Sequence, residues 1–121
     1  MTDYTAAGIT VRIGRRSADM DRLLMAHRQR AAVFITAYNP FSRSMPAAWN
    51  RRIQARLLQN LRGCPVLPAS GRWGHWCEAH FLAFAPHRPM IVLARRYRQH
   101  GIVTVRLRQP ARLIITSSWA R

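Results

Sequence analysis

The sequence predicts an α+β fold, a mainly antiparallel sheet with helices on one face, carrying a ferredoxin-like split β-α-β core with added terminal strands. Three observations predict it. Short runs rich in β-formers alternate with stretches whose apolar residues recur at helical spacing. Glycine, proline and Asn-Pro breaks fall between them. The resulting order is β-α-β-α-β-β-α-β-β, and its middle, residues 31–107, reads β-α-β-β-α-β. The 121 residues are expected to form a single domain.

Each element has its own warrant. Ile9, Val11 and Ile13 alternate with Thr10 and Arg12 and stop at Gly14, a short strand. Ser17 is placed to cap a helix with Asp19 in its first turn and Met20, Leu23, Leu24 and His27 as its apolar stripe. Residues 31–38 form a compact buried strand closed by Asn39-Pro40. Residues 46–62 predict a second helix, capped by Ser44 and ended by Gly63, with Trp49, Ile53, Leu57 and Leu61 on one face. A strand over residues 66–69 and a turn over residues 71–74 lead into a strand over residues 76–85. Pro86 and Pro89 open a third helix bearing Met90, Leu93, Ala94 and Tyr97, with Gly101 as its stop. Residues 102–107 and 113–116 are two strands joined through Gln109-Pro110.

Composition narrows the function. The chain carries 20 basic residues, all arginine, against 4 acids, a net charge of +16. Such a charge points to nucleic acid, another polyanion or an acidic protein as partner. A GC-rich coding sequence also favours arginine over lysine, but it does not explain the scarcity of acids. The longest uncharged run, residues 31–42, is too short for a membrane-spanning helix, which needs roughly 20 residues. With Asp3 and no basic stretch, residues 1–10 do not read as a secretory signal, and two cysteines make no disulfide framework. A cytoplasmic location is therefore expected. No Walker, dinucleotide or nucleophile-elbow motif is present, so no cofactor is expected. His75, Cys77 and His80 lack zinc spacing, no metal is expected, and Cys77 reads as a small core residue.

Glu78 is the most informative residue. It is the only glutamate and sits inside an apolar strand, where alternation puts Trp76, Glu78, His80, Leu82 and Phe84 on one face. A half-buried carboxylate needs partners. It is either an ion pair with an arginine, locking strand to helix, or a catalytic general base or ligand-orienting group, with His80 assisting. Asn39 and Ser42, where the strand leaves the sheet, are candidate ligand-binding groups, or Asn39 only makes an Asx turn. Asn50 lies on the apolar side of its helix, as a core network member or a site residue. Arg51, Arg52 and Arg56 on the second helix and Arg95, Arg96 and Arg98 on the third are candidates for polyanion binding. An RNA-recognition sheet would need an aromatic-basic strand signature, which is missing.

The stretch Phe34-Ile35-Thr36-Ala37-Tyr38-Asn39-Pro40-Phe41-Ser42, then Asn50, Trp76-Cys77-Glu78 and Tyr97-Arg98-Gln99, resembles the bacterial domain-of-unknown-function family numbered 3293. The similarity runs from about Thr10 to Ile115, with T-A-x-N-P-x-S as its most specific motif. It implies that Asn39, Ser42, Asn50, Glu78 and Gln99 form one polar cluster. Where that family commonly has Phe-Gly-Gln, this chain has Tyr97-Arg98-Gln99. Three functions follow as expectations: a nucleic-acid or polyanion-binding module, which the charge favours; a small enzyme or ligand pocket centred on Glu78, with Asn39, Asn50 and Gln99; or a structural and interaction protein. Whether these four residues meet in one cleft separates them.

Overall fold

The computed structural model describes residues 2–117. Its elements are β1 (Thr2–Ala6), β2 (Ile9–Arg12), α1 (Ala18–Ala26), β3 (Ala31–Ile35), a 3-10 turn (Pro40–Ser42), α2 (Ala47–Asn60), β4 (Val66–Trp73), β5 (Trp76–Ala83), α3 (His87–Arg96), β6 (Gly101–Arg106) and β7 (Arg112–Ile115). The strands form one sheet in the order β2-β1-β4-β5-β3-β6-β7, with every neighbouring pair antiparallel. Within it, β4-β5-β3-β6 is the strand order of the split β-α-β unit, so the expected α+β architecture is present. The two edges also meet. Ile13 bridges Ala111, the Gly14 amide donates to the Ala111 carbonyl at 2.7 Å, and the Ala111 amide donates to the Arg15 carbonyl at 3.0 Å. The sheet is thereby curled on itself.

Alternation divides the core in two. Val33, Ile35 and Ala83 face α2 and α3, packing with Leu57, Leu61, Met90, Leu93 and Ala94. Ala32, Phe34, Leu82, Val103 and Val105 take the opposite face, where α1 inserts Met20 and Leu24. The expectation of helices on one face holds for α2 and α3 and fails for α1. That helix lies outside the split unit, and the curl leaves an inner face that only it covers. The Ser17 hydroxyl accepts from the Met20 amide at 3.1 Å, the expected cap.

Several boundaries differ from expectation, each for a local reason. β1 is an additional strand. It pairs with β2 through a two-residue turn, Ala7-Gly8, with both φ angles positive (51° and 74°), the geometry that matches strand twist. Pro46, not Ser44, occupies the N-cap of α2, and no side chain caps it. Gly101 begins β6 instead of ending α3; Arg98, at φ 56°, takes the left-handed turn after that helix. Cys77 is exposed, because the β4–β5 hairpin extends into solvent around it.

Candidate functional site

The inner face of the curled sheet is not filled along its whole length. Beyond the α1 plug it encloses a cavity of about 610 Å³. Residues from both sheet edges line it, Ile13 from the end of β2 and Leu113 and Ile115 from β7. Its floor comes from the middle strands. Glu78 and His80 stand two residues apart on β5, paired with Gly71 and Ala69 of β4. A side chain at position 71 would collide with the His80 ring, since a Cβ there would lie 2.7 Å from Cε1. Glycine at 71 is what lets the imidazole lie over β4.

The loop after β3 supplies the other polar groups. Asn39 adopts a left-handed conformation (φ 49°), which asparagine tolerates better than most residues. Its side chain bonds on both sides. Oδ1 accepts from the Met45 amide at 3.0 Å and from Asn50 Nδ2 at 2.8 Å, and Nδ2 donates to Glu78 Oε2 at 3.2 Å. Asn50 Oδ1 in turn accepts from the Asn39 amide at 3.0 Å. Asn50, one turn into α2, is buried and holds Asn39 from behind. Gln99 is also buried; its Nε2 donates to the Tyr38 and Tyr97 carbonyls, tying the end of α3 to the same loop. Ser42 lies on the wall, at φ 57°. Asn39, Ser42, Glu78, His80 and Gln99 therefore border one cavity, with Asn50 as the layer beneath.

Two contributors escaped the sequence reading. Gln54 is buried; its Oε1 accepts from the Ala37 amide at 2.8 Å and its Nε2 donates to the Ala79 carbonyl at 3.2 Å. It lies four residues after Asn50 and three before Leu57, so the buried face of α2 runs Asn50-Gln54-Leu57-Leu61. That spacing was the available signal. Tyr4, on the additional strand β1, packs against Phe34 and meets the His80 ring edge-on at 5.7 Å.

The electrostatics of the floor follow from burial. Desolvation raises the Glu78 carboxyl above the usual carboxylate range, and the Asn39 hydrogen bond only partly counters it. Among the described residues the ion pairs are Asp3–Arg12, Asp21–Arg16 and Asp19–Arg22; none reaches Glu78. The expected alternative of a Glu78–arginine lock is thus replaced by a Glu78–Asn39 hydrogen bond. Burial, and then the charge of Glu78, raise the Tyr4 phenol. Desolvation pulls His80 down to about 4, partly opposed by its contact with the Glu78 carbonyl at 3.2 Å. That carbonyl can only accept, so Nδ1 carries the proton and Nε2 keeps its lone pair.

This yields a pH test. The folded pKa of His80 lies below its ordinary 6.5. Its contribution to stability is therefore complete above pH 6.5 and is lost as pH falls towards 4, because the unfolded chain takes the proton first. Allowing for partial solvent screening, the expected loss is about 1–3 kcal/mol. Thermal midpoints of the parent and a His80→Gln chain should diverge across that window. Parallel curves would show that His80 is not desolvated. Glu78 acts in the opposite sense in both chains and cancels in the difference.

The candidate polyanion-binding arginines lie elsewhere. Arg51, Arg52, Arg56, Arg95, Arg96 and Arg98 are exposed on or beside α2 and α3, the layer across the sheet from the cavity. Arg95 Nε donates to the Thr116 carbonyl at 2.8 Å, and the Arg98 guanidinium sits 6.0 Å from the centre of the Phe41 ring. The Phe41 amide also donates to the Arg98 carbonyl at 2.9 Å, so the backbone approaches closely at position 98 although arginine stands there. Among the described residues no three His, Cys, Asp or Glu side chains gather as a metal-binding set. No helix among them is long and apolar enough to cross a membrane.

Fold and site together define a class: an antiparallel α+β sheet curled around a cavity with a polar floor and aromatic walls. The chain belongs to the family described as protein of unknown function (DUF3293), whose model matches residues 35–102, over half its length. The matched segment contains Asn39, Ser42, Asn50, Gln54, Glu78, His80 and Gln99, while β1, β2 and β7 lie outside it. No curated protein and no solved structure matches the chain.

Proposed function

We propose that this protein binds a small organic ligand in the cavity of its curled sheet, with Glu78 as the group that receives it. One observation carries the reading. In a chain of 20 arginines, the single glutamate is half-buried at a cavity floor and is held there by an asparagine instead of a cation. A side chain placed only for stability would gain more from a guanidinium partner. The cavity falls within the range of small-molecule sites, roughly 300–1,000 Å³. Glu78, with its raised pKa, and neutral His80 are two proton acceptors side by side, a pair suited to orienting a ligand or moving its proton. The polyanion reading is supported only by exposed arginines on the helical layer.

The test is an NMR screen of the full chain against a fragment mixture of neutral, cationic and anionic compounds. Hits are expected to shift the amides of residues 36–39, 71 and 78–80. A screen in which no fragment moves those amides, or in which only polyanions bind and shift α2 and α3, overturns the proposal.

A further inference from the structure

We infer that the ligand is an uncharged planar heterocycle whose edge carries adjacent N–H donors, bound edge-on to Glu78 and flanked by the Trp73–Trp76 pair. The inference rests on the cavity being a ligand site and adds the chemistry that would fill it.

Ser42, Ser44, the Tyr4 and Tyr38 phenols and His100 also line the cavity, but the groups nearest Glu78 on β5 and on the loop after β3 leave acceptors free and commit their donors. Each carboxamide nitrogen around the floor is turned to the scaffold or to Glu78. Asn50 Nδ2 donates to Asn39 and the Met45 carbonyl, and Gln54 Nε2 to the Ala79 carbonyl. Gln99 Nε2 donates to two carbonyls, and Asn39 Nδ2 to Glu78 Oε2. What remains at Glu78 and His80 for a ligand is the other Glu78 oxygen, the second lone pair of Oε2 and His80 Nε2. Two residues along a strand, their Cα atoms are separated by about 6.5–7 Å. Carboxylates take N–H and NH₂ groups that lie side by side as two parallel hydrogen bonds. A ligand that presents such an edge satisfies the floor; one that presents carbonyls or carboxylates leaves it unpaired, a desolvation cost.

Charge removes two alternatives. An anion would meet the Glu78 carboxylate and the His80 lone pair at the floor; Arg72 also lines the cavity, but it is exposed and pairs with Cys77 on β5, one position out of phase with Glu78. A free cation would have to approach a molecule of net charge +16. An uncharged donor edge meets neither objection.

The mouth gives the shape. Trp73 and Trp76 pair across the tip of the β4–β5 hairpin and are 66% and 56% exposed, although both line the cavity. Ile13, Leu113 and Ile115 stand exposed on the same cavity. Aromatic faces above a hydrogen-bonding floor suit a flat ring with apolar faces and a polar edge. A 2-amino-lactam ring has that form, and both guanine nucleosides and pterins carry it.

The experiment titrates the full chain, by tryptophan fluorescence and calorimetry, with guanosine against inosine and with pterin against lumazine. In each pair the second compound lacks the exocyclic amine. At least one amino compound is expected to bind ten times more tightly than its partner, and the responding pair tells a nucleoside from a pterin. In Glu78→Gln that preference should fall below twofold. If fragments occupy the cavity but neither pair discriminates in the parent protein, the donor-edge assignment is wrong while the ligand-site reading stands. If nothing occupies the cavity, the ligand-site reading fails and takes the inference with it. The parent-protein comparison decides without the variant.

Discussion

Replacing Asn50 by alanine is expected to cost about 2–4 kcal/mol, a fall in thermal midpoint on the order of 6–15 °C for a chain of this size. Asn50 is buried, and three of its hydrogen bonds close the loop after β3: it accepts from the Asn39 amide and donates to Asn39 Oδ1 and the Met45 carbonyl. Alanine removes these partners from the Asn39 amide and the Met45 carbonyl, leaves Asn39 Oδ1 with the Met45 amide alone, and opens a void behind them. The loop backbone needs such support, since Asn39, Phe41 and Ser42 all have positive φ. Such conformations persist only where the surroundings enforce them. The same substitution should therefore release Asn39 from Glu78 and weaken any cavity ligand. Calorimetric unfolding of the parent and Asn50→Ala chains measures the first effect. A loss under about 0.5 kcal/mol would mean that the network does not hold the loop.

Glu78→Gln should behave in the opposite way. Stability is expected to hold or rise, by up to about 1 kcal/mol at neutral pH, while affinity for a cavity ligand falls at least tenfold. The amide has nearly the same shape, and Asn39 Nδ2 can donate to its carbonyl oxygen as it does to Glu78 Oε2. What disappears is a half-buried charge without a cationic partner. The sign follows from the raised carboxyl pKa. The folded protein holds the Glu78 proton more tightly than the unfolded chain, so parent stability declines as pH climbs from about 4.5 through the folded value. The advantage of Gln should appear above that window and vanish below it. Midpoints measured from pH 3 to 8, alongside ligand titration, separate the cases. A loss above about 1 kcal/mol with unchanged binding would make Glu78 a structural lock.

These two substitutions also show what the sequence could and could not reveal. The α+β class and the split core were legible because helical spacing survives in α2 and α3, alternation survives in β5, and β3 and β6, buried on both faces, stand out as compact runs of β-formers. Glu78 and Asn39 stood out because a lone acid in an apolar strand and an Asn-Pro at a strand end break local pattern. Gln54 did not, because a glutamine among the arginines of α2 looks like surface until its position relative to Asn50 is counted. β1 escaped because residues 2–6 alternate weakly and Ala-Gly is a less conspicuous hairpin turn than Asn-Gly. With β1 went Tyr4 and one wall of the cavity. The position of α1 was hidden for another reason: its stripe shows that it packs, but only the curl of the sheet decides which face it meets.

The meeting of the two sheet edges has a mechanical consequence. Neighbouring strands are stitched by ladders, whereas the Ile13–Ala111 seam rests on one bridge and the two short backbone contacts beside it. A wall fails along its weakest course, so opening of the cavity should begin there, by the parting of β2 from β7 and not by the melting of the β4-β5-β3-β6 centre. The catch on this container is thus formed by residues outside the matched segment, while the groups it encloses lie within it. Relatives that share the floor are free to differ in how readily it is unlatched.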